Sequence, residues 1–208
     1  MNAERYVVFT NYLPVAGDHG ILITDKDFNV IEKYLYLDGR LLGLAFSNTT
    51  RMLPQGNHLL LSQPFSYDIH SISIDGVDIK YMIDFPGYAI DNHTFDLLKE
   101  KGTPFEKIQS QKVFLETLNS GNSCWFIENF YESEKIIGFQ FTFQKKKHLF
   151  LRSKKRNEDI VISKMFLDDG SNFNGYLHCF DNNKLIASVE SDRDTEGLKV
   201  MIIDLTNY

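Results

Sequence analysis

The densest charge in the sequence is a basic run, Lys145-Lys146-Lys147-His148, followed closely by Arg152, Lys154, Lys155 and Arg156. Cations at that spacing could hold a phosphate, a sulfated glycan or nucleic acid, with Lys146 and Lys147 as the ligand-binding candidates. The competing reading is structural. In the strand pattern these residues fall on two successive turns and the strand between them, where solvated lysines protect sheet edges. The two turns would lie at opposite ends of that strand, which divides the patch. A formal net charge of −6 also argues against a general nucleic-acid binder, because phosphate contacts need a surplus of Lys and Arg.

Other residues capable of chemistry are scattered. His58, His70, His93, His148 and His178 show no pair at ligand spacing, and neither a His-Glu-x-x-His run nor a Cys-x-x-Cys occurs, so no metal site is expected. Asp25 and Asp27, Asp168 and Asp169, and Asp192, Asp194 and Glu196 cluster as carboxylates do in hydrolases and Ca²⁺ loops. Each group sits at an expected turn, where Asp caps backbone N–H groups, and the turn reading is favoured. A Gly-x-Ser-x-Gly elbow and a Gly-rich phosphate loop are both lacking, so no catalytic residue and no cofactor are assigned. Tyr88, Trp125 and Tyr131, with Phe85, could stack on a carbohydrate, although strand aromatics more often fill the core between sheets. Cys124 and Cys179 lie in apolar strand contexts and read as buried free thiols.

The elements that must position these residues are strands. Composition is that of an ordinary folded chain, 43% hydrophobic and 24% charged, and 17 Phe with 10 Tyr suit pleated, half-buried surfaces. The stretch from Ile21 to Leu37 reads as two strands about a polar turn, and the stretch from Ile69 to Phe85 reads the same way. Tyr34 and Tyr81, each preceded by Lys, lie 47 positions apart. A strand-built period of that length is the signature of a propeller-type repeat.

Strands are expected at Tyr6–Asn11, Gly20–Asp25 and Val30–Leu37, then at Phe46–Leu53, His58–Ser62, Asp68–Ile74 and Val77–Phe85. Pro54-Gln55-Gly56-Asn57 and Asp75-Gly76 supply turns of the expected residue types. From Asn92 to about Ser120 the texture becomes helical, with Gly102 a stop, Thr103-Pro104 a start and Gly121 a second stop. Phe105, Ile108, Val113, Phe114, Leu115 and Leu118 recur at roughly helical spacing. Strands resume at Ser123–Phe130, Ile136–Phe143, His148–Ser153 and Asp159–Phe166, and end with Tyr176–Phe180, Lys184–Ser191 and Leu198–Leu205. The expected fold is therefore mainly β: propeller blades of four antiparallel strands with a short helical insertion. Residues 1–40 form a partial blade, 41–91 a blade, 92–121 the insertion, 122–170 a blade and 171–208 a partial final blade. Three to four blades make an incomplete ring, completed either by further sequence or by another copy.

Two segments carry a family resemblance. Lys80-Tyr81-Met82-Ile83-Asp84-Phe85-Pro86-Gly87-Tyr88 is similar to the run that ends a middle blade in the six-bladed β-propeller proteins widespread in Bacteroidota. Trp125-Phe126-Ile127-Glu128-Asn129-Phe130-Tyr131-Glu132-Ser133, with Phe139-Gln140-Phe141-Thr142-Phe143, resembles the blade after the insertion. Pro86 departs from the Gly more usual there, which alters the turn and no chemistry. The resemblance implies an exported, often lipid-anchored setting and a chain corresponding to the C-terminal part of longer members; it carries over no catalytic residues.

Taken by itself, Met1-Asn2-Ala3-Glu4-Arg5 leads straight into a strand without a signal peptide, which reads as cytoplasmic if Met1 is the natural start. No apolar run is long enough to span a bilayer. The function expected is a non-enzymatic binding or scaffold module for a protein or glycan. The alternatives are a glycan-active hydrolase or lyase using channel carboxylates, and a self-associating half-propeller that forms a homo-oligomer.

Overall fold

The computed structural model of the chain describes residues 4–9, 19–36, 38–41, 44, 52–63, 65–162, 175–181, 184–189 and 199–204. Among the described residues, fourteen strands in chain order build four antiparallel sheets. The first holds β1 (Arg5–Phe9), β2 (His19–Asp25) and β3 (Val30–Tyr36), paired in that order. The β2–β3 turn is fixed by Asp25, whose carboxylate accepts from the amides of Asp27 and Asn29, each at 2.9 Å, and from the Asn29 side chain. Those bonds hold the Asp25 carboxyl below its ordinary range. Asp25 is thus a turn residue, as its sequence context indicates. Asp168, Asp169, Asp192, Asp194 and Glu196 lie outside the described residues.

The second sheet runs β4 (Met52–Gln55), β5 (His58–Ser62), β6 (Asp68–Ser73) and β7 (Gly76–Met82). Here the turn expected over Pro54-Gln55-Gly56-Asn57 is shorter. Pro54 pairs with Leu59 and Gln55 with His58, so both belong to β4. Proline, lacking an N–H, is tolerated because β4 is an edge strand. Gly56 takes φ 58° and turns the chain with Asn57. Gly76 opens β7 at φ 151°, and a Cβ there would stand 3.3 Å from the Tyr34 hydroxyl of the preceding sheet.

The third sheet contains β8 (Trp125–Glu132), β9 (Ile136–Phe143), β10 (Lys146–Ser153) and β11 (Glu158–Ile162). The fourth contains β12 (Gly175–Asp181), β13 (Lys184–Val189) and β14 (Lys199–Asp204). Each sheet is an up-and-down meander, and apolar faces join the first sheet to the second and the second to the third. Ile21, Leu61 and Ile72 join the first sheet to the second, with Tyr34 against them. Leu60, Ile69, Ile127, Phe130, Phe139 and Phe141 join the second to the third, with Tyr81 against them. The two tyrosines of the sequence repeat thus occupy matching places, each on the last strand of its sheet and packed into the seam with the next.

Between β7 and β8 stand a 3-10 helix (Asn92–Leu97) and α1 (Pro104–Ser120). Thr103 and Glu106 form a reciprocal capping box: the Thr103 hydroxyl accepts from the Glu106 amide, and the Glu106 carboxylate accepts from the Thr103 amide at 2.8 Å. The buried stripe of α1 is Ser110, Phe114 and Leu118. Phe105, Ile108 and Val113, expected by periodicity to be part of the apolar face, are instead 69%, 61% and 47% exposed. The helix is rolled so that Phe114 meets Phe65 edge-on at 5.2 Å and Phe95 at 5.4 Å, under a core that includes Ile90, Leu98 and Trp125. Both ends of the insertion are tied down. The Tyr67 hydroxyl donates to the Cys124 carbonyl at 2.7 Å and accepts from the Ile90 amide at 2.6 Å, while the Cys124 amide donates to the Tyr88 carbonyl at 2.6 Å. Burial raises the Tyr67 hydroxyl to about 12, so it stays protonated in that role.

Phe114 is fully buried and touches both Phe65, in the β5–β6 connection, and the 3-10 helix, so it anchors the insertion. Phe114→Ala is expected to destabilise the fold by about 3–5 kcal/mol, through lost burial and an unfilled cavity. Urea unfolding followed by circular dichroism measures this; a loss below about 1 kcal/mol would mean the helix is not anchored there.

Candidate functional site

The third sheet carries the polar groups that a site would use, because β8 is irregular. Its pairing with β9 shifts twice, between Trp125 and Glu128 and again between Glu128 and Tyr131. Asn129, between those shifts, takes φ 52°. Bulges of this kind re-aim side chains, and here they turn Glu128 and Asn129 into the interior, where Glu128 is 4% exposed. Glu128 pairs with the Lys147 ammonium from β10, and the Asn129 side-chain nitrogen donates to the Gln140 side chain on β9.

Glu132, at the end of β8, is the meeting point of two sheets. Its Oε1 accepts from the Tyr81 hydroxyl at 2.7 Å and the Lys154 ammonium at 2.6 Å. Its Oε2 accepts from Lys80 at 2.7 Å and the Gln55 amide at 3.2 Å. Burial, the largest single influence, pushes this carboxyl up. The four hydrogen bonds together outweigh it and hold Glu132 at about 2. A general acid must keep its proton near neutrality. Glu132 does the opposite, with both oxygens occupied, so its chemistry is that of an ionic clamp between sheets. The Tyr81 hydroxyl is raised in turn, by burial first and then by its bond to Glu132.

A second arrangement lies at one end of the third sheet. The β9–β10 hairpin turns through Gln144 and Lys145, at φ 48° and 64°. Between this turn and the C-terminal half of α1 lies an open groove of about 430 Å³, lined by Val113, Glu116, Thr117, Asn119, Ser120 and Lys145. The Gln144 amide donates to Asn122 at 3.2 Å, linking the turn to the chain leaving the helix.

The residues singled out by sequence reasoning do not converge. Trp125 is 8% exposed and stacks on Phe65 at 5.8 Å, within the core under α1. Tyr131 is also 8% exposed. Neither offers an open ring to a sugar. Tyr88 is 49% exposed and edge-on to Phe143, the residue before the Gln144–Lys145 turn. Lys146 is exposed at the start of β10, and Lys147 is committed to Glu128. The basic run is divided as the strand pattern indicates, with Lys145–Lys147 at one end of β10 and Lys154–Arg156 at the other. Arg152 pairs with Asp159 at 2.5 Å and Lys154 with Glu132. Cys124 is a buried free thiol that burial pushes up to about 11; the side chains of His178 and Cys179 lie outside the described set. Burial lowers His70 and His148. Among the described residues no three His, Cys, Asp or Glu side chains gather as metal ligands. Sequence reasoning missed Glu132, Lys80 and Gln55, and no local signal marks them, since their contacts span 52 and 77 residues.

Four antiparallel meanders in succession, the first three packed on one another through apolar seams and the fourth adjoining the third where β12 nears β8, define a β-propeller. The chain belongs to the family described as 6-bladed beta-propeller (DUF5128), which matches residues 10–188. Its fold is also that of a crystal structure from Bacteroides fragilis NCTC 9343, described as a "Putative exported protein": 13% sequence identity, TM-score 0.63, covering 88% of this chain and 51% of that one. The chain thus spans about half the length of that protein. No curated protein matches it. Among the described residues no helix is long and apolar enough to cross a membrane.

The clamp makes a definite pH prediction. A carboxyl held at about 2 in the folded chain, against an ordinary 4.5, favours folding fully above pH 4.5. That contribution is lost as the pH falls from 4.5 towards 2. Glu132→Gln is expected to cost about 1–3 kcal/mol at pH 7, discounted because Lys80 and Lys154 are each about one-third exposed and can turn to water. Urea unfolding at pH 7, 5 and 3 should show the variant and the parent converging at acid pH; a constant gap would rule out the clamp.

Proposed function

We propose that the chain is a non-enzymatic binding module of an extracytoplasmic β-propeller, its rigid blades presenting a ligand surface where the helical insertion meets the third sheet. The observation that carries this reading is the commitment of the buried carboxylates. Glu132 is held ionised by four donors and Glu128 is paired with Lys147, so neither stands ready to donate or abstract a proton. The groove beside α1, by contrast, is open and lined by side chains able to hydrogen-bond a ligand. Likeness to a protein described as exported supports a setting outside the cytoplasm.

The test is a paired assay on the purified chain. Binding is expected on a panel of glycans and secreted proteins, with no turnover of glycosidic substrates. Measurable hydrolysis or elimination abolished by Glu128→Gln, without binding, would replace this reading with an enzymatic one.

Association between copies has its own support. Val200 and Ile202 lie on β14, the edge strand of the last sheet, at 57% and 64% exposure. On that reading sedimentation detects a dimer that Ile202→Glu dissociates, and a monomer at all concentrations overturns it.

A further inference from the structure

The groove between α1 and the β9–β10 hairpin has a composition that selects among ligand classes. Its volume, about 430 Å³, is in the range of small-ligand sites. Val113 is the one apolar side chain in its lining; the others are a carboxylate (Glu116), two hydroxyls (Thr117 and Ser120), an amide (Asn119) and an ammonium (Lys145). The exposed wall is about half polar and half apolar, the apolar part coming from Val113 and the aliphatic portions of its polar neighbours. A polyanion is disfavoured, since the single cation of the lining lies in the same groove as a carboxylate. What fits is a neutral molecule rich in paired donors and acceptors.

The hydroxyls are poised for that. Thr117 donates to the Val113 carbonyl at 2.9 Å and Ser120 to the Glu116 carbonyl at 2.8 Å, which fixes each hydroxyl hydrogen inside the helix and leaves the oxygens as acceptors. Glu116 adds a charged acceptor, held only loosely by Lys112 at 3.9 Å. Asn119 and Lys145 supply donors. An array of acceptors faced by a few donors suits vicinal hydroxyl groups, each of which gives one hydrogen and takes another. Tyr88, half-exposed against Phe143, places an aromatic ring at the same end of the sheet.

The hairpin itself points the same way. A two-residue turn with both φ positive is relaxed as Asn-Gly, whereas Gln144 and Lys145 both carry side chains into the left-handed region. Strain of this kind persists where a side chain is needed in place, and Lys145 lines the groove.

From these observations we infer that the groove formed by Glu116, Thr117, Asn119, Ser120 and Lys145 binds a neutral oligosaccharide. The inference rests on the binding-module reading and names its ligand class. The test uses the full chain on an array carrying neutral hexose and N-acetylhexosamine oligosaccharides, sulfated glycans and peptides, followed by calorimetric titration of the neutral chain bound best. Asn119→Ala and Glu116→Gln, both on the surface of α1, are each expected to weaken binding by about tenfold. Lys155→Ala, at the far end of β10, should leave it unchanged. The double substitution Gln144→Asn, Lys145→Gly is expected to raise thermal stability while weakening binding, a combination that a merely structural hairpin does not produce. Preference for sulfated glycans or peptides, or neutral binding indifferent to the groove substitutions, overturns the saccharide assignment while leaving a binding module. Turnover of the bound chain would instead overturn the module reading.

Discussion

A carboxylate inside a protein must be met by enough donors to replace the water it has lost, and Glu132 is met by four. They come from two strands and a turn, with Gln55 on β4, Lys80 and Tyr81 on β7, and Lys154 in the turn after β10. The requirement is geometric as much as energetic. The donors can reach both oxygens only when the second and third sheets adopt one relative position, so the clamp sets the seam that the apolar contacts fill. Non-directional burial of Phe130, Phe139 and Ile127 tolerates sliding; a carboxylate with both oxygens occupied does not. The core under the insertion draws on both sides of that seam, with Phe65 between β5 and β6 stacked on Trp125 of β8.

Much of the fold was legible because local rules and the tertiary structure agree. The Thr103-Pro104 helix start and the Gly121 stop occur where their residues stand, whereas the turn expected at Asp75-Gly76 falls one residue earlier, at Ile74-Asp75, with Gly76 already paired to Ser73. His58–Ser62 and Ile136–Phe143 coincide with β5 and β9 because alternation and turn chemistry bound them on both sides. The repeat was legible for a physical reason: Tyr34 and Tyr81 fill equivalent positions in successive seams. Where the reading failed, tertiary contact had overridden local preference. Pro54 reads as a turn residue until its place on an edge strand is known. Phe105 and Ile108 read as core until the roll of α1 is set by Phe65 and Phe95.

The candidate site was far less legible. Glu132 lies at the end of a strand, with nothing in its neighbours to mark it, and its partners are remote in sequence. The groove arises where a helix from the insertion meets a hairpin beyond it, so its residues form no motif. The aromatics that attracted attention, Trp125 and Tyr131, were spent on the core, as large rings in strands commonly are. Charge density misled in the same way: Lys147, Arg152 and Lys154 are each neutralised by an acid that the linear sequence does not place beside them.

The Tyr67 hydroxyl, bonded at once to Ile90 and Cys124, fastens together the two points where the chain enters the insertion and where it returns to the third sheet. With those points held by the blades, the intervening stretch adds little loop-closure entropy however long it is, since that cost grows only slowly with length. The insertion is therefore an exchangeable cassette on a fixed socket. A helix of another length or surface can stand on that socket while Tyr67 and the sheets stay as they are.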